Sequence, residues 1–400
     1  PPVPVRWNYI RWLQDLLATT QPSHTDTFNP TSSVTGLDIG VGASCIYSLL
    51  ACASAPGWKM HGTDIDQVSL EHARKNVDAN AGVVGGRIKL HRTISEGDAL
   101  IPLEELGEEE LDFVMCNPPF YSSEEDMAAA YELKTLSPSA VCTGSTNEMI
   151  CAGGDIGFVE RILEESLKLR GRVRWYSSML GRLASLQMFV AKLKENGITN
   201  YAVTNLKAGR KTRRWAVAWS FGDLRPGNDV ARHGEVVAAV VPMATEWTVN
   251  VGGDGAADAG SVEELGEKVN AVMKELDLRW QWRAPIHAGV AFARENVWSR
   301  SARRKRKFQQ QQKGEKEARK EGEEEEGSES SSSEDEEPIA LAVKIVCGPG
   351  RVDIRWLRGT DFTLWESFCG MMKRALGARE QAATATKGAG VDRRMRTTKE

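Results

Sequence analysis

No run in the sequence approaches the roughly eighteen uninterrupted apolar residues of a membrane-spanning helix, and no basic-then-apolar leader opens it. A membrane partner is therefore not expected. The seven cysteines include no CxxC pair and no Cys/His cluster at ligand spacing, so metal catalysis has no support. An odd number of scattered thiols fits reduced cysteines in an intracellular protein. Met is missing from the first position. The chain opens on Pro1-Pro2 and reads as part of a longer polypeptide. No sequence repeat is present.

Net basic charge also looks absent, since the formal charge is −4. That figure misleads. Residues 321–337 carry ten carboxylates and no Lys or Arg, and without them 51 basic residues face 45 acidic ones, a balance of +6. A mildly basic remainder permits a nucleic-acid partner without demanding one.

Hydrophobic residues make up 41% of the chain, enough for a sizeable core. Their spacing predicts an amphipathic helix over 6–20, then alternating elements. Strands are expected at 36–39, 58–63, 87–91, 111–116 and 172–177, with helices at 44–55, 67–80, 155–169 and 183–196. Residues 198–205 and 213–221 have the pattern of an antiparallel hairpin. Alternation of this kind implies an α/β sheet covered by helices on both faces.

Residues 223–234 are rich in Gly, Pro and charge and read as a linker between a domain at 1–222 and a second at 235–378. The second pattern is strand 236–241, strand 247–251, helix 262–276, strand 278–282, helix 290–307, strands 339–346 and 352–356, and helix 362–376. It suggests a small α+β domain interrupted by a low-complexity, acidic, serine-rich insert at 309–337, which cannot bury apolar surface. A polar tail, 379–400, follows.

Asp38-Ile39-Gly40-Val41-Gly42-Ala43-Ser44 lies between a strand and a helix. Glycine there allows a sharp turn and a close approach of backbone to ligand. The same residues also suit a plain strand-to-helix turn with Ser44 as N-cap. Asp64 ends the next strand at the offset of an acid that accepts ribose hydroxyls. Asp66 has the place of a helix cap. Asp98 follows the third strand, with Glu96 and Thr93 as alternatives. Acids after the first three strands are where the amino-acid, ribose and adenine parts of an adenosyl cofactor would be read.

Asn117-Pro118-Pro119-Phe120 follows the apolar strand 111–116. An aryl amine is a poor nucleophile, because its lone pair is delocalised into the ring. Two acceptors on its N–H bonds favour the tetrahedral geometry that frees the pair. The Asn117 side-chain oxygen and the Pro118 carbonyl can be those acceptors. Proline fixes φ and removes competing donors. Phe120 offers a face to an extruded base, worth about 1–3 kcal/mol. A rigid turn is the alternative role of such a segment.

At this point the chain resembles the methyltransferase-like 16 family of RNA adenine methyltransferases. The similar stretches are VPVRWNYIRWLQDLL (3–17), GLDIGVGASCIYSLL (36–50), GTDID (62–66), MCNPPFY (115–121), GSTNEMICAGGDIGFVERIL (144–163), RVRWYSSMLG (172–181) and GRKTRRWAVAWSF (209–221). The resemblance implies a class I methyltransferase fold: Rossmann-like α/β, with a seven-stranded sheet ending in an antiparallel hairpin. It implies S-adenosylmethionine as cofactor, with Arg6 at its carboxylate. Asp38, Gly40, Gly42, Ser44, Thr93 and Asn117 would line the pocket, and Asp64 would hold the ribose. It implies that Asn117, Pro118, Pro119 and Phe120 hold an adenine of structured RNA, such as U6 small nuclear RNA or a transcript hairpin, and that the enzyme works in the nucleus, with the cytoplasm as an alternative. The family carries an additional N-terminal RNA-gripping module that the sequence from Pro1 onward does not include, and the C-terminal domain is similar only in pattern to an accessory RNA-binding region.

Two basic clusters are candidates for phosphate contact: Arg210, Lys211, Arg213 and Arg214 beside Trp215, and the run 300–307 with Arg303 and Arg304. The first also suits a solvated hairpin turn. The second also suits an import signal or a charged helix end. Two other activities share parts of this pattern, methylation of protein glutamine and RNA binding by a vestigial enzyme. The first predicts an acidic or neutral groove and no accessory domain.

Overall fold

The computed structural model describes residues 3–93, 98–132, 149–207, 213–234, 237–251, 261–302, 304, 308 and 338–377. The insert 309–337 and the tail 379–400 lie outside the described residues. Among the described residues, no helix is long and apolar enough to cross a membrane. No group of three or more His, Cys, Asp or Glu among them could hold a metal ion.

The first sheet begins with five parallel strands: β1 (Val34–Ile39), β2 (Trp58–Asp64), β3 (Ile88–Arg92), β4 (Leu111–Cys116) and β5 (Val173–Leu180). β6 (Tyr201–Lys207) and β7 (Arg213–Trp219) follow as an antiparallel hairpin, with β7 inserted against β5. The order is β3-β2-β1-β4-β5-β7-β6, extended at the β6 edge by a two-residue strand, β8 (Arg232–His233). The expected class I α/β fold is therefore present, with an eighth strand beyond the seven expected.

The strands are covered on both faces, and their side chains alternate between two cores. Phe113 and Met115 of β4 join the cluster under the helices Val3–Thr19 and Ile46–Ser54. Val114 and Cys116 join the cluster under Gly154–Leu169 and Leu183–Glu195. The helix Val3–Thr19 is anchored by Tyr9, whose hydroxyl is 2.9 Å from Ser177 Oγ, and that oxygen donates to the Val114 carbonyl.

Sheet order reverses at β1. From there the chain runs outward to β2 and β3, then returns on the other side with β4. Ligands of open α/β sheets bind at the carboxyl ends of strands beside such a reversal. The β1–β4 register pairs Ile39 with Cys116, so the glycine turn and Asn117 emerge side by side.

The second sheet is antiparallel, in the order β10-β11-β12-β13-β9. Its strands are β9 (Glu246–Asn250), β10 (Arg279–Arg283), β11 (Ala288–Ala293), β12 (Leu341–Gly348) and β13 (Arg351–Arg358). The helices Val262–Lys274 and Phe362–Leu376 pack into one core with it, around Ile345, Trp356, Trp365 and Phe368.

Three expectations need correction here. The helix expected at 290–307 begins instead as strand β11. Gly289 lets the Trp280 ring lie against that strand, where a Cβ would come within 2.3 Å of the ring. The strand expected at 236–241 is, in its described part, the 3-10 turn Ala238–Val240. Residues 223–234 are no bare linker: they contain the helix Asn228–Ala231 and β8.

Their first residues also pin the two sheets together. Leu224 bridges to Arg358, and the Arg225 amide donates to the Leu357 carbonyl. The Arg225 side chain is buried and donates from Nε to the Gly359 carbonyl at 2.8 Å. It also donates from Nη1 to the Thr199 carbonyl at 3.3 Å and lies 4.4 Å from the Trp356 ring centre. Burial lowers its pKa to about 10. Asp26 adds a second joint, pairing with Arg355 and, at 3.0 Å, with Lys344.

Arg225→Ala leaves two carbonyls unpaired and a hollow beside Trp356. It should destabilise the protein by about 2–4 kcal/mol in calorimetry. Arg225→Lys, which keeps the charge but lacks the planar fork, should recover less than half of that. A wild-type melting profile for Arg225→Ala would show that this joint carries no stability.

Candidate active site

The turn after β1 runs through the left-handed region, with φ +70° at Gly40 and +61° at Gly42, where a side chain would be strained. It is laced to β2. The Val41 amide donates to the Thr63 carbonyl at 2.9 Å, and the Gly42 amide donates to Asp64 Oδ2 at 2.9 Å. The other Asp64 oxygen accepts from the Asp66 amide at 2.9 Å. Asp64 therefore fixes the turn with one contact per oxygen, and a carboxylate oxygen has a further lone pair for a ligand hydroxyl. Burial raises its pKa, while these amides pull it down.

Asp38 is fully buried one step before the turn. Ser48 Oγ donates to it at 3.3 Å. Burial pushes its pKa up to about 7. Thr93 joins the strand-end row, its amide donating to the Asp64 carbonyl at 3.1 Å. Asp98 is exposed. Ser44 sits in the turn, half-buried, and is not the helix cap; Cys45 holds that place with φ +50°. Asp66 does cap the next helix, accepting from the Val68 and Ser69 amides.

Arg6 reaches this region from the helix Val3–Thr19, with its guanidinium 5.9 Å from the Tyr47 ring centre. Tyr47 donates to Met179 Sδ at 3.2 Å, and its hydroxyl lies in the fields of Arg6, Asp38 and Arg214. The sequence reading missed Tyr47, which carries no signal beyond a place on an apolar helix.

Asn117 leaves β4 beside this turn. Pro118 is buried, and Asn117, Pro119 and Phe120 are half-buried. The Asn117 Oδ1 atom is buried and has no hydrogen-bond partner among the described residues. Such an atom costs about 1–3 kcal/mol until something donates to it. Past Phe120, the Tyr121 amide donates to the Met149 carbonyl and the Cys151 amide to the Tyr121 carbonyl, both at 3.0 Å.

Asp155, at the start of the helix Gly154–Leu169, builds the wall behind Phe120. One carboxylate oxygen accepts from the Gly181 amide at 2.7 Å and the other from Ser185 Oγ at 2.9 Å. Gly181 must lack a side chain, because a Cβ there would lie 2.8 Å from Phe120 Cδ1. Arg182 pairs with Asp126 at 2.9 Å. None of these five, Asp155, Gly181, Ser185, Arg182 and Asp126, was singled out from sequence. The one available signal was an acid after two glycines at the head of an apolar helix.

Of the basic candidates, Arg214 is at the site, with its guanidinium 5.0 Å from the Phe120 ring centre. Arg210, Lys211 and Arg303 lie outside the described residues, as does the side chain of Arg213. Arg304 is exposed. The site thus has an acidic floor (Asp38, Asp64), an unmet acceptor (Asn117) and a cationic rim (Arg6, Arg214). It suits a flat amine on one side and a ligand with a cationic head and hydroxyls on the other.

Folded Asp38 keeps a proton that the unfolded chain releases near the ordinary carboxylate pKa. Stability from this group is therefore lost as pH rises from about 4 toward about 7. Between about pH 5 and pH 8 the wild type should lose more thermal stability than Asp38→Asn. Identical pH dependence of the two would contradict the assignment.

Residues 1–223 match the model of a family described as RNA methyltransferase. Over 385 residues the chain is 34% identical to the U6 small nuclear RNA (adenine-(43)-N(6))-methyltransferase of Schizosaccharomyces pombe, covering 94% of this chain and 86% of that protein. It is 39% identical over 225 residues to the RNA N(6)-adenosine-methyltransferase METTL16 of Mus musculus, covering 56% of this chain and 39% of that one. A solved structure, the hMettl16 catalytic domain in complex with MAT2A 3'UTR hairpin 6, is 36% identical with TM-score 0.46, covering 56% of this chain and 72% of that one. With the family model matching over half its length and a relative at 34% identity matched over nearly all of its own, the chain belongs to this family of RNA methyltransferases.

Proposed function

We infer that the chain transfers a methyl group from S-adenosylmethionine to the exocyclic N6 amine of an adenosine in structured RNA, with U6 small nuclear RNA as first substrate and transcript hairpins as a further class. The buried, unpartnered Asn117 Oδ1 carries this reading. It is an acceptor at a strand end to which no group among the described residues donates. The S. pombe relative is a methyltransferase of an adenine amine in U6 small nuclear RNA and the mouse relative one of adenosine in RNA.

The residues around the glycine turn fit the cofactor. Buried Asp38, reluctant to ionise without a cation, suits the ammonium of the amino-acid end, and Arg6 suits its carboxylate. Asp64 retains acceptor capacity for ribose hydroxyls, Gly40 and Gly42 allow close backbone approach, and Ser44 and Thr93 stand along the same rim. When bound, S-adenosylmethionine supplies an activated methyl on sulfonium.

The chain's own residues do the rest. Asn117 Oδ1 and the Pro118 carbonyl accept the two amine hydrogens and turn the nitrogen lone pair out of the ring plane. Pro118 and Pro119 hold that geometry before the substrate arrives. Phe120, backed by Gly181, stacks on the extruded base. No general base is required, since the amine proton becomes acidic only after transfer. The rate comes from alignment.

A protein glutamine amide could also meet two acceptors, but Arg214 beside Phe120 favours a phosphate-bearing substrate. The second sheet is read as an accessory RNA-binding domain. The proposed small nuclear RNA substrate and the basic run 300–307, read as an import signal, support a nuclear location. Asn117→Ala should lower kcat on U6 small nuclear RNA about a hundredfold or more, with RNA affinity little changed. Near-normal turnover in that variant would sink the reading.

A further inference from the structure

Phe120 is packed against Gly181 and carries Arg214 over its ring. Gly181 closes on the ring so tightly that a Cβ would come within 2.8 Å of Cδ1. The Gly181 amide is tied to the buried Asp155 carboxylate at 2.7 Å, so this wall cannot retreat. The Arg214 guanidinium lies over the ring at 5.0 Å from its centre. A stacked base needs a full ring thickness against Phe120 and another against whatever lies beyond it. The gap beneath Arg214 does not leave that room. Base and guanidinium are therefore alternative occupants of one aromatic face.

Resting on the adenine reading, we propose that Arg214 guards the base-stacking face of Phe120 and is drawn off by a phosphate of the incoming RNA. Each partner gains from the exchange. A guanidinium forms bidentate, charge-assisted hydrogen bonds with a phosphate, a better match than an aromatic face. The freed ring gains a base. Entry of the base is thereby coupled to engagement of the backbone. A ligand without a phosphate meets a site whose competent state is only partly populated, and its apparent affinity falls by that fraction. Free adenosine and other soluble purines are thus disfavoured by a device that RNA itself releases.

The test compares wild type, Arg214→Ala and Arg214→Lys at saturating S-adenosylmethionine on two substrates, U6 small nuclear RNA and the nucleoside adenosine. On RNA, kcat/KM should fall about tenfold or more in Arg214→Ala, with Arg214→Lys between. On adenosine, Arg214→Ala should exceed wild type by about threefold, the scale of an exposed cation–π contact. Where nucleoside turnover is below detection, quenching of 2-aminopurine riboside fluorescence with S-adenosylhomocysteine saturating gives the same comparison as a Kd.

Equal or poorer handling of the nucleoside by Arg214→Ala overturns the proposal, since a simple RNA contact or a folding defect brings no gain. A neutral methylphosphonate beside the target adenosine should lower wild-type activity to that of Arg214→Ala and leave the variant unaffected; additive losses overturn the proposal too. Failure of the adenine reading looks different: wild type would then leave no N6-methyladenosine in the RNA.

Discussion

The parallel pairing of β1 with β4 is the constraint on which the rest depends. Ile39 opposite Cys116 puts two chain exits next to each other at the point where sheet order reverses. One exit is the glycine turn, held by Asp64 through the Gly42 amide. The other is Asn117-Pro118-Pro119-Phe120. Strand register moves in steps of two residues if core faces are to be kept. A slip would separate the turn from the acceptors by more than a hydrogen bond can span. Burial of Leu37 and Val114 on one face and of Phe113 and Met115 on the other fixes that register.

The site is built as two electrostatic halves on either side of this seam. Asp38 and Asp64 are carboxylates that burial pushes toward neutrality, a state that a cationic, hydroxyl-bearing ligand would relieve. Asn117 Oδ1 is a buried acceptor without a donor among the described residues. In both halves the protein leaves polar groups incompletely matched, so ligand binding makes good a cost already incurred in folding. Asp155 serves differently. Its two oxygens tie the helix Gly154–Leu169 to the end of β5 through Gly181 and to the helix Leu183–Glu195 through Ser185, and it acts on the site through Gly181 and Phe120.

Much of this was legible in the sequence because it is local. Gly40 and Gly42 announce a left-handed turn, Asp64 closes an apolar strand, and Asn117-Pro118-Pro119 can hardly be regular structure. The strand 111–116 falls where it was expected. What escaped was long-range or ambiguous. Gly181 and Asp155 meet across 26 positions of chain, and nothing near either residue names the other. Arg214 could be read as turn or ligand until the hairpin laid it on Phe120. The alanines of the strand Ala288–Ala293 suit the start of a helix, and the packing of Trp280 over Gly289 is a contact between strands that the sequence does not announce. Residues 223–234 have a linker's composition, yet Arg225 finds carbonyls on both sheets.

The central claim is that the acceptors beside the glycine turn present one flat amine for methylation. The most direct measurement incubates the protein with U6 small nuclear RNA and isotopically labelled S-adenosylmethionine, digests the RNA to nucleosides and locates the label by mass spectrometry. The account predicts label in N6-methyladenosine and in no other nucleoside. Label on a ring nitrogen, on a ribose hydroxyl or on protein glutamine alone would contradict it.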